Sequence, residues 1–192
     1  MTALLGPSAS GKTTLLNVLS GRQMDGKISG MVTLSVDGTP ATATQARQLC
    51  GVVPQDNILL PGMTVHQTLW YAAAMRLPLT GGGEREARVL SILTALGLFD
   101  CSDVRVDSAG LSGGQRKLVS IALEMLTNPA VLLLDEAVSG LDSAAADKVL
   151  GQLRMLARGG AASTEGEGLV SSPRTIVCSV HQPSGACEKH PF

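Results

Sequence analysis

Gly6, Gly11, Lys12 and Thr13 stand at a spacing that can wrap an anion. The run Gly6-Pro7-Ser8-Ala9-Ser10-Gly11-Lys12-Thr13 fits G-x-x-x-x-G-K-[ST]. Its glycines let the backbone fold around a phosphate and aim N–H groups at it. Lys12 can reach the β- and γ-phosphates of a nucleotide, and the Thr13 hydroxyl can sit on Mg²⁺. Thr14 completes the stretch of candidate nucleotide ligands. The bland alternative is a Gly-rich turn that happens to precede Lys-Thr.

A second run, Val131-Leu132-Leu133-Leu134-Asp135-Glu136, places two carboxylates after four apolar residues. Such a run reads as a buried strand, and open α/β sheets bind ligands at the C-terminal ends of their strands. Asp135 is placed to hold Mg²⁺ through water, and Glu136 to polarise a water for attack on a γ-phosphate. A third run, Leu111-Ser112-Gly113-Gly114-Gln115, puts a serine and two glycines before a helical pattern. That is another set of backbone donors facing an anion. One nucleotide has little need of two phosphate cradles, so the economical reading gives the second to the ATP of a neighbouring molecule.

The elements that must position these residues follow from the apolar pattern. Thr2 to Leu5 reads as a buried strand feeding the glycine loop. A helix carrying Leu15, Leu16, Val18 and Leu19 follows and stops at Ser20-Gly21. Val32, Leu34 and Val36 alternate with polar residues as in a half-buried strand, turned by Asp37-Gly38. Cys50 to Val53 is a short strand ended by Pro54. Thr64 and Gln67 form a capping box for a helix to about Leu77. After a loop from Thr80 to Gly83, another helix carries Val89, Leu90, Leu93 and Leu96 and ends at Gly97. A helix from Gln115 to about Leu126 should turn Leu118, Ile121, Ala122 and Met125 inward. Ser143 to Ala157 is a further helix, and Thr175 to Val180 the last strand. Strands alternating with helices predict an α/β fold on a mostly parallel sheet.

Composition excludes several functions. Hydrophobic residues make up 44% and charged residues 16%, enough to bury a core. With 2% aromatic residues and a formal net charge of −1, the composition argues against a stacking platform or a broad basic surface for nucleic acid, a local basic patch aside, and no nucleic-acid partner is expected. Met1 leads straight into Thr2-Ala3-Leu4-Leu5-Gly6 without a basic region or cleavable apolar stretch, so secretion is not expected, and no segment approaches the roughly 20 apolar residues of a membrane span. The four cysteines, Cys50, Cys101, Cys178 and Cys187, lack metal-type pairing and read as small hydrophobes.

In these three runs the chain resembles the ABC ATPase family. The resemblance implies a P-loop NTPase with a mostly parallel core sheet, a helical signature subdomain at about 64–127 and a partial antiparallel β lobe. It implies that two such domains meet head to tail, each ATP lying between the glycine loop of one and Ser112-Gly113-Gly114-Gln115 of the other. Three further positions match the family. Gln55 resembles the glutamine that senses Mg²⁺ and the attacking water and couples the site to the helical subdomain. Asp142 resembles the aspartate that crosses between the two sites, and His181 the histidine that contacts the γ-phosphate. Taken singly these have plain readings: a loop glutamine, a helix N-cap, a strand-end histidine. Thr14 to Arg22, Thr64 to Leu69 and His181-Gln182-Pro183-Ser184 resemble the G subfamily of White-type half-transporters. The implied function is an ATPase subunit, with ATP and Mg²⁺, that drives transport through ATP-dependent dimerisation. It would lie at the cytoplasmic face of a membrane, through a transmembrane domain absent from this chain.

Some positions depart from that pattern. The family's earlier strands, with the aromatic residue that stacks on adenine, are not found ahead of Thr2, and residues 185–192 diverge, so the chain reads as one ABC domain (1–192) truncated at both ends. Exposed sheet edges and low stability are the expected consequence. Ala9, Gln67 and Ala137 replace the subfamily's more frequent glycine, glutamate and proline. Residues 159–172 read as an inserted loop, and Trp70 and Tyr71 as packing residues. Two rival functions are a soluble, non-transport ABC ATPase and a truncated, non-catalytic nucleotide-binding fragment. A GTPase or small-molecule kinase has no use for Leu111 to Gln115.

Overall fold

A computed structural model describes residues 1–22, 29–30, 32–36, 39–41, 43–77, 81–159 and 172–180. Four short apolar segments form a parallel sheet: β1 (Thr2–Leu5), β4 (Cys50–Val53), β5 (Val131–Leu134) and β6 (Thr175–Val180), in the order β1-β6-β5-β4. Leu5 pairs with Val180, Leu134 with Cys178, and Val53 with Leu134. The strands that precede the glycine loop, the Asp135-Glu136 pair and Gln55 therefore end together along one rim. Between β1 and β4 lie α1 (Lys12–Leu19), a two-strand antiparallel pair of β2 (Ser35–Val36) with β3 (Thr39–Pro40), and α2 (Ala43–Leu49).

Strand alternation divides the core. Val52 and Leu133 face α1 through Leu16, whereas Val53, Leu132, Leu134, Ile176, Cys178 and Val180 join the larger core on the other face. That core is completed by α3 (Val65–Arg76), α4 (Gly82–Ala95), α5 (Gly113–Met125) and α6 (Ser143–Arg158). Leu69, Ile92, Leu93, Leu118, Ile121, Leu150 and Leu153 are almost fully buried there. No helix among the described residues is long and apolar enough to cross a membrane.

Several local expectations hold in detail. Thr64 caps α3 with the reciprocal Gln67 bond, Gly97 adopts φ +62° beyond α4, and Asp142 caps α6 through Ala145 N–H. Cys101 and Cys178 are buried and Cys50 half-buried, none of the three in a disulfide; burial pushes the Cys50 and Cys101 thiols above their ordinary value. Trp70 packs partly against the core and meets Tyr71 edge-on with ring centroids 5.4 Å apart, whereas Tyr71, expected to pack, is half-exposed because its side of α3 faces away from the core.

Four differences have physical reasons. The helix expected from Gln115 begins at Gly113, because Ser112 accepts from Gln115 N–H and Gln115 returns a bond to Ser112 N–H; this capping box draws both glycines into the first turn. Gly82 and Gly83 likewise enter α4, whose first turn carries Glu84, a charge that favours a helix N-terminus. Helix α2 lacks the apolar stripe that announces a helix from sequence. The strand expected over Val32 to Val36 is paired only at Ser35–Val36, and Val32 is half-exposed, so one apolar side chain has no sheet to cover it. The Asp37-Gly38 turn, the 160–171 part of the inserted loop, His181 and everything after it lie outside the described residues.

Candidate nucleotide site

The exit of β1 supplies the anion cradle. Gly6 sits where an added Cβ would fall 2.7 Å from Ser10 Oγ, and Gly11 takes φ +88° as N-cap of α1. The Gly11 conformation favours glycine, whereas a side chain at Gly6 would require the Ser10 hydroxyl to move. Pro7, Ser8, Ala9, Ser10 and Gly11 are exposed, and Ala9 holds a left-handed φ of 62°. The first turn of α1 leaves the N–H groups of Lys12, Thr13 and Thr14 without intrahelical acceptors, at the end of the helix that carries partial positive charge. Lys12 Nζ closes over the loop onto the carbonyls of Gly6 and Pro7, each at 2.8 Å.

The exit of β5 supplies the carboxylates. Thr13 Oγ1 donates to Asp135 Oδ2 at 2.6 Å, a side-chain bond that spans from β1's loop to β5 across the intervening β6. Ser179 of β6 occupies the gap: its hydroxyl donates to Asp135 Oδ1 at 2.6 Å and accepts from Glu136 N–H at 2.7 Å. Glu136 itself leaves the strand at φ 46°. Its Oε2 accepts from Gln55 Nε2 at 2.8 Å, which joins the exits of β4 and β5. The Thr13 hydroxyl and the Asp135 and Glu136 carboxylates gathered at one rim form a hard, oxygen-rich set that fits a small divalent cation beside a phosphate cradle.

The structure thus brings together Lys12, Thr13, Asp135, Glu136 and Gln55. It sets Ser112, Gly113, Gly114, Gln115 and Asp142 in a second group. There an added Cβ on Gly113 would lie 3.1 Å from Leu141 Cδ2, and one on Gly114 3.1 Å from Ala145 Cβ. These glycines let α5 start tight against α6's first turn. Ser112 and Gly113 are exposed, and no hydrogen bond from the described residues reaches the N–H of Gly113 or Gly114.

Sequence reasoning missed two residues. Ser179 is the polar residue in the otherwise apolar end of β6, fully buried; a hydroxyl at that place in a central strand needs a partner, and the partners are the two carboxylate residues. Lys117 is 3% exposed and donates to the carbonyls of Pro54 and Gln55 at 2.9 and 3.0 Å. Its signal was a lysine three residues from Gly114 and four from Ile121, on the inward face of α5. Burial pushes its ammonium below the ordinary lysine value, and Asp135, Asp56 and Glu136 pull it back up.

A glycine loop between a parallel strand and a helix, facing a carboxylate pair on a neighbouring strand, defines a P-loop nucleotide-binding fold. A profile of the ABC transporter family matches residues 1–139, and the chain belongs to that family as an ATP-binding domain. It is 46% identical over 189 residues to ABC transporter G family member 21 of Arabidopsis thaliana, covering 96% of this chain and 25% of that protein. It is 39% identical over 188 residues to ATP-binding cassette sub-family G member 8 of Homo sapiens, covering 95% of this chain and 26% of that protein. The chain spans about a quarter of the length of these relatives. Among solved structures it matches cbiO1 from Clostridium perfringens, part of the ABC transporter complex cbiONQ, with a TM-score of 0.73 and 27% identity over 94% of this chain and 66% of that one.

Proposed function

We propose that this chain binds and hydrolyses ATP with Mg²⁺ as the motor domain of a G-type ABC transporter. In this reading residues 1–192 form one ABC domain whose helical subdomain is about 64–127. The observation that carries it is the direct bond from Thr13 to Asp135, which ties the phosphate cradle to the carboxylate pair. Gly6 to Thr14 hold the phosphates, and Lys12 turns from its loop carbonyls to the β- and γ-phosphates. Thr13, Asp135 and Gln55 hold Mg²⁺, which when bound offsets charge on the phosphate oxygens. Glu136, oriented by Gln55, takes a proton from a water as that water's oxygen bonds the γ-phosphorus and the bond to ADP breaks. His181 contacts the γ-phosphate.

The free N–H groups of Gly113 and Gly114 support a composite site, in which Ser112 to Gln115 of a second ABC domain close over this chain's ATP. Asp142, beside that group, reaches between the two sites. ATP closes the pair, hydrolysis reopens it, and a transmembrane domain converts the movement into transport, with this chain at the membrane's cytoplasmic face.

Glu136→Gln in the full-length protein tests the chemistry. It keeps the size and the contact with Gln55 but cannot accept a proton. Turnover should fall by about 100-fold or more while Mg²⁺-ATP binding persists and the ATP-bound pair lives longer. Turnover at the unmutated rate would remove Glu136 from the base role. Mg²⁺-ATP binding by the unmutated protein without any turnover would favour a non-catalytic nucleotide-binding domain.

A further inference from the structure

Lys117 is a buried charge in the mostly apolar, buried stretch of α5. Its neighbours along α5, Leu118, Val119, Ile121 and Ala122, are all fully buried. An ammonium in such a place is costly unless its donors are satisfied, and a methionine would fill comparable volume without that cost. What satisfies it is specific: the two carbonyls of Pro54 and Gln55, where the chain leaves β4. The same Gln55 donates through its side chain to Glu136. Lys117 stands in the second turn of the helix whose first turn is Gly113-Gly114. Asp135, Asp56 and Glu136 add attraction for its charge.

We propose that Lys117 is a positioning residue for hydrolysis: it pins the Pro54-Gln55 backbone to the helix that begins at Ser112, so that Gln55 holds Glu136 in register only while that helix is seated. The proposal rests on the function given above and adds to it a physical link between the two phosphate-facing groups. Side-chain contact with the nucleotide is not part of Lys117's role.

The test is a mutant cycle in the full-length protein, reading kcat and KM for Mg²⁺-ATP alongside the melting temperature. Lys117→Met should lower kcat by about tenfold with KM changed less than about threefold, the pattern of a group that matters after binding. Added to Gln55→Ala it should cost little more, because both remove the same alignment. Lys117→Arg, which keeps donors on a long stem, should recover kcat to within about threefold of the unmutated rate. Fully additive losses in the double mutant, a rise in KM alone, or losses that merely follow the melting temperature would overturn the proposal. If Lys117→Met does not fold, Lys117→Gln carries the same cycle; unfolding of the Met, Gln and Arg variants alike would make the lysine purely structural and would also overturn it. Failure of the underlying reading is distinguishable, since Glu136→Gln would then hydrolyse ATP at the unmutated rate whatever Lys117 does.

Discussion

Glu136 leaves β5 with φ 46°, a backbone region that costs a non-glycine residue about 1–2 kcal/mol. Strain of this kind persists where surrounding bonds hold it. Here the holder is Ser179, which accepts from Glu136 N–H and donates to Asp135 Oδ1. Ser179→Ala would orphan both groups in a buried place, a loss of about 1–3 kcal/mol in stability. It should also lower kcat more than it raises KM, because the carboxylates lose alignment rather than contact with the phosphates. Parallel kinetics and thermal melts check this; an unchanged kcat would show that Ser179 only stabilises the fold. The motif residues themselves were legible in sequence, since glycine spacing and a carboxylate pair after an apolar run state their chemistry locally. Ser179 and Lys117 were not, because each gains meaning from partners on other elements: residues 135 and 136 for one, 54 and 55 for the other.

At the scale of elements, close approach between α5 and α6 decides how the second group is held. An added Cβ on Gly114 would lie 3.1 Å from Ala145 Cβ, so Gly114→Leu would force the helices apart at a cost of about 1–3 kcal/mol. Gly151, within α6, has open space at its Cβ position, and Gly151→Ala should stabilise by about 1 kcal/mol through helix propensity. Opposite shifts of melting temperature are expected; equal shifts would mean that Gly114 is not packed against α6. The far end of α5 is fixed by buried arginines. Arg88 donates to Leu126 O at 3.0 and 2.6 Å, and Arg174 to Pro129 O at 2.9 Å and Asn128 Oδ1 at 2.7 Å. These satisfy carbonyls at the helix end and the turn into β5, which fixes where Asp135 emerges. Strand positions were legible because β4, β5 and β6 are short apolar runs bounded by proline or polar residues. Helix α2 and the exact start of α5 were not, because the first lacks an apolar stripe and the second depends on a cap whose glycines read as loop.

For the whole molecule, the central proposal is that each ATP is completed by Ser112 to Gln115 of a second ABC domain, either a second copy of this chain or a related one. Complementation tests the second-copy case most directly. One full-length variant carries Lys12→Ala, which disables its own phosphate loop; another carries Ser112→Arg, which obstructs the group offered to its partner. Each alone should hydrolyse ATP poorly, since every site in either homodimer has one defective half. Mixed in equal amounts and allowed to exchange, they should recover about a quarter of the unmutated rate, because half of the pairs then hold one intact composite site. Full activity of the Ser112→Arg variant by itself, or no recovery when mixed pairs are demonstrably formed, would contradict the claim.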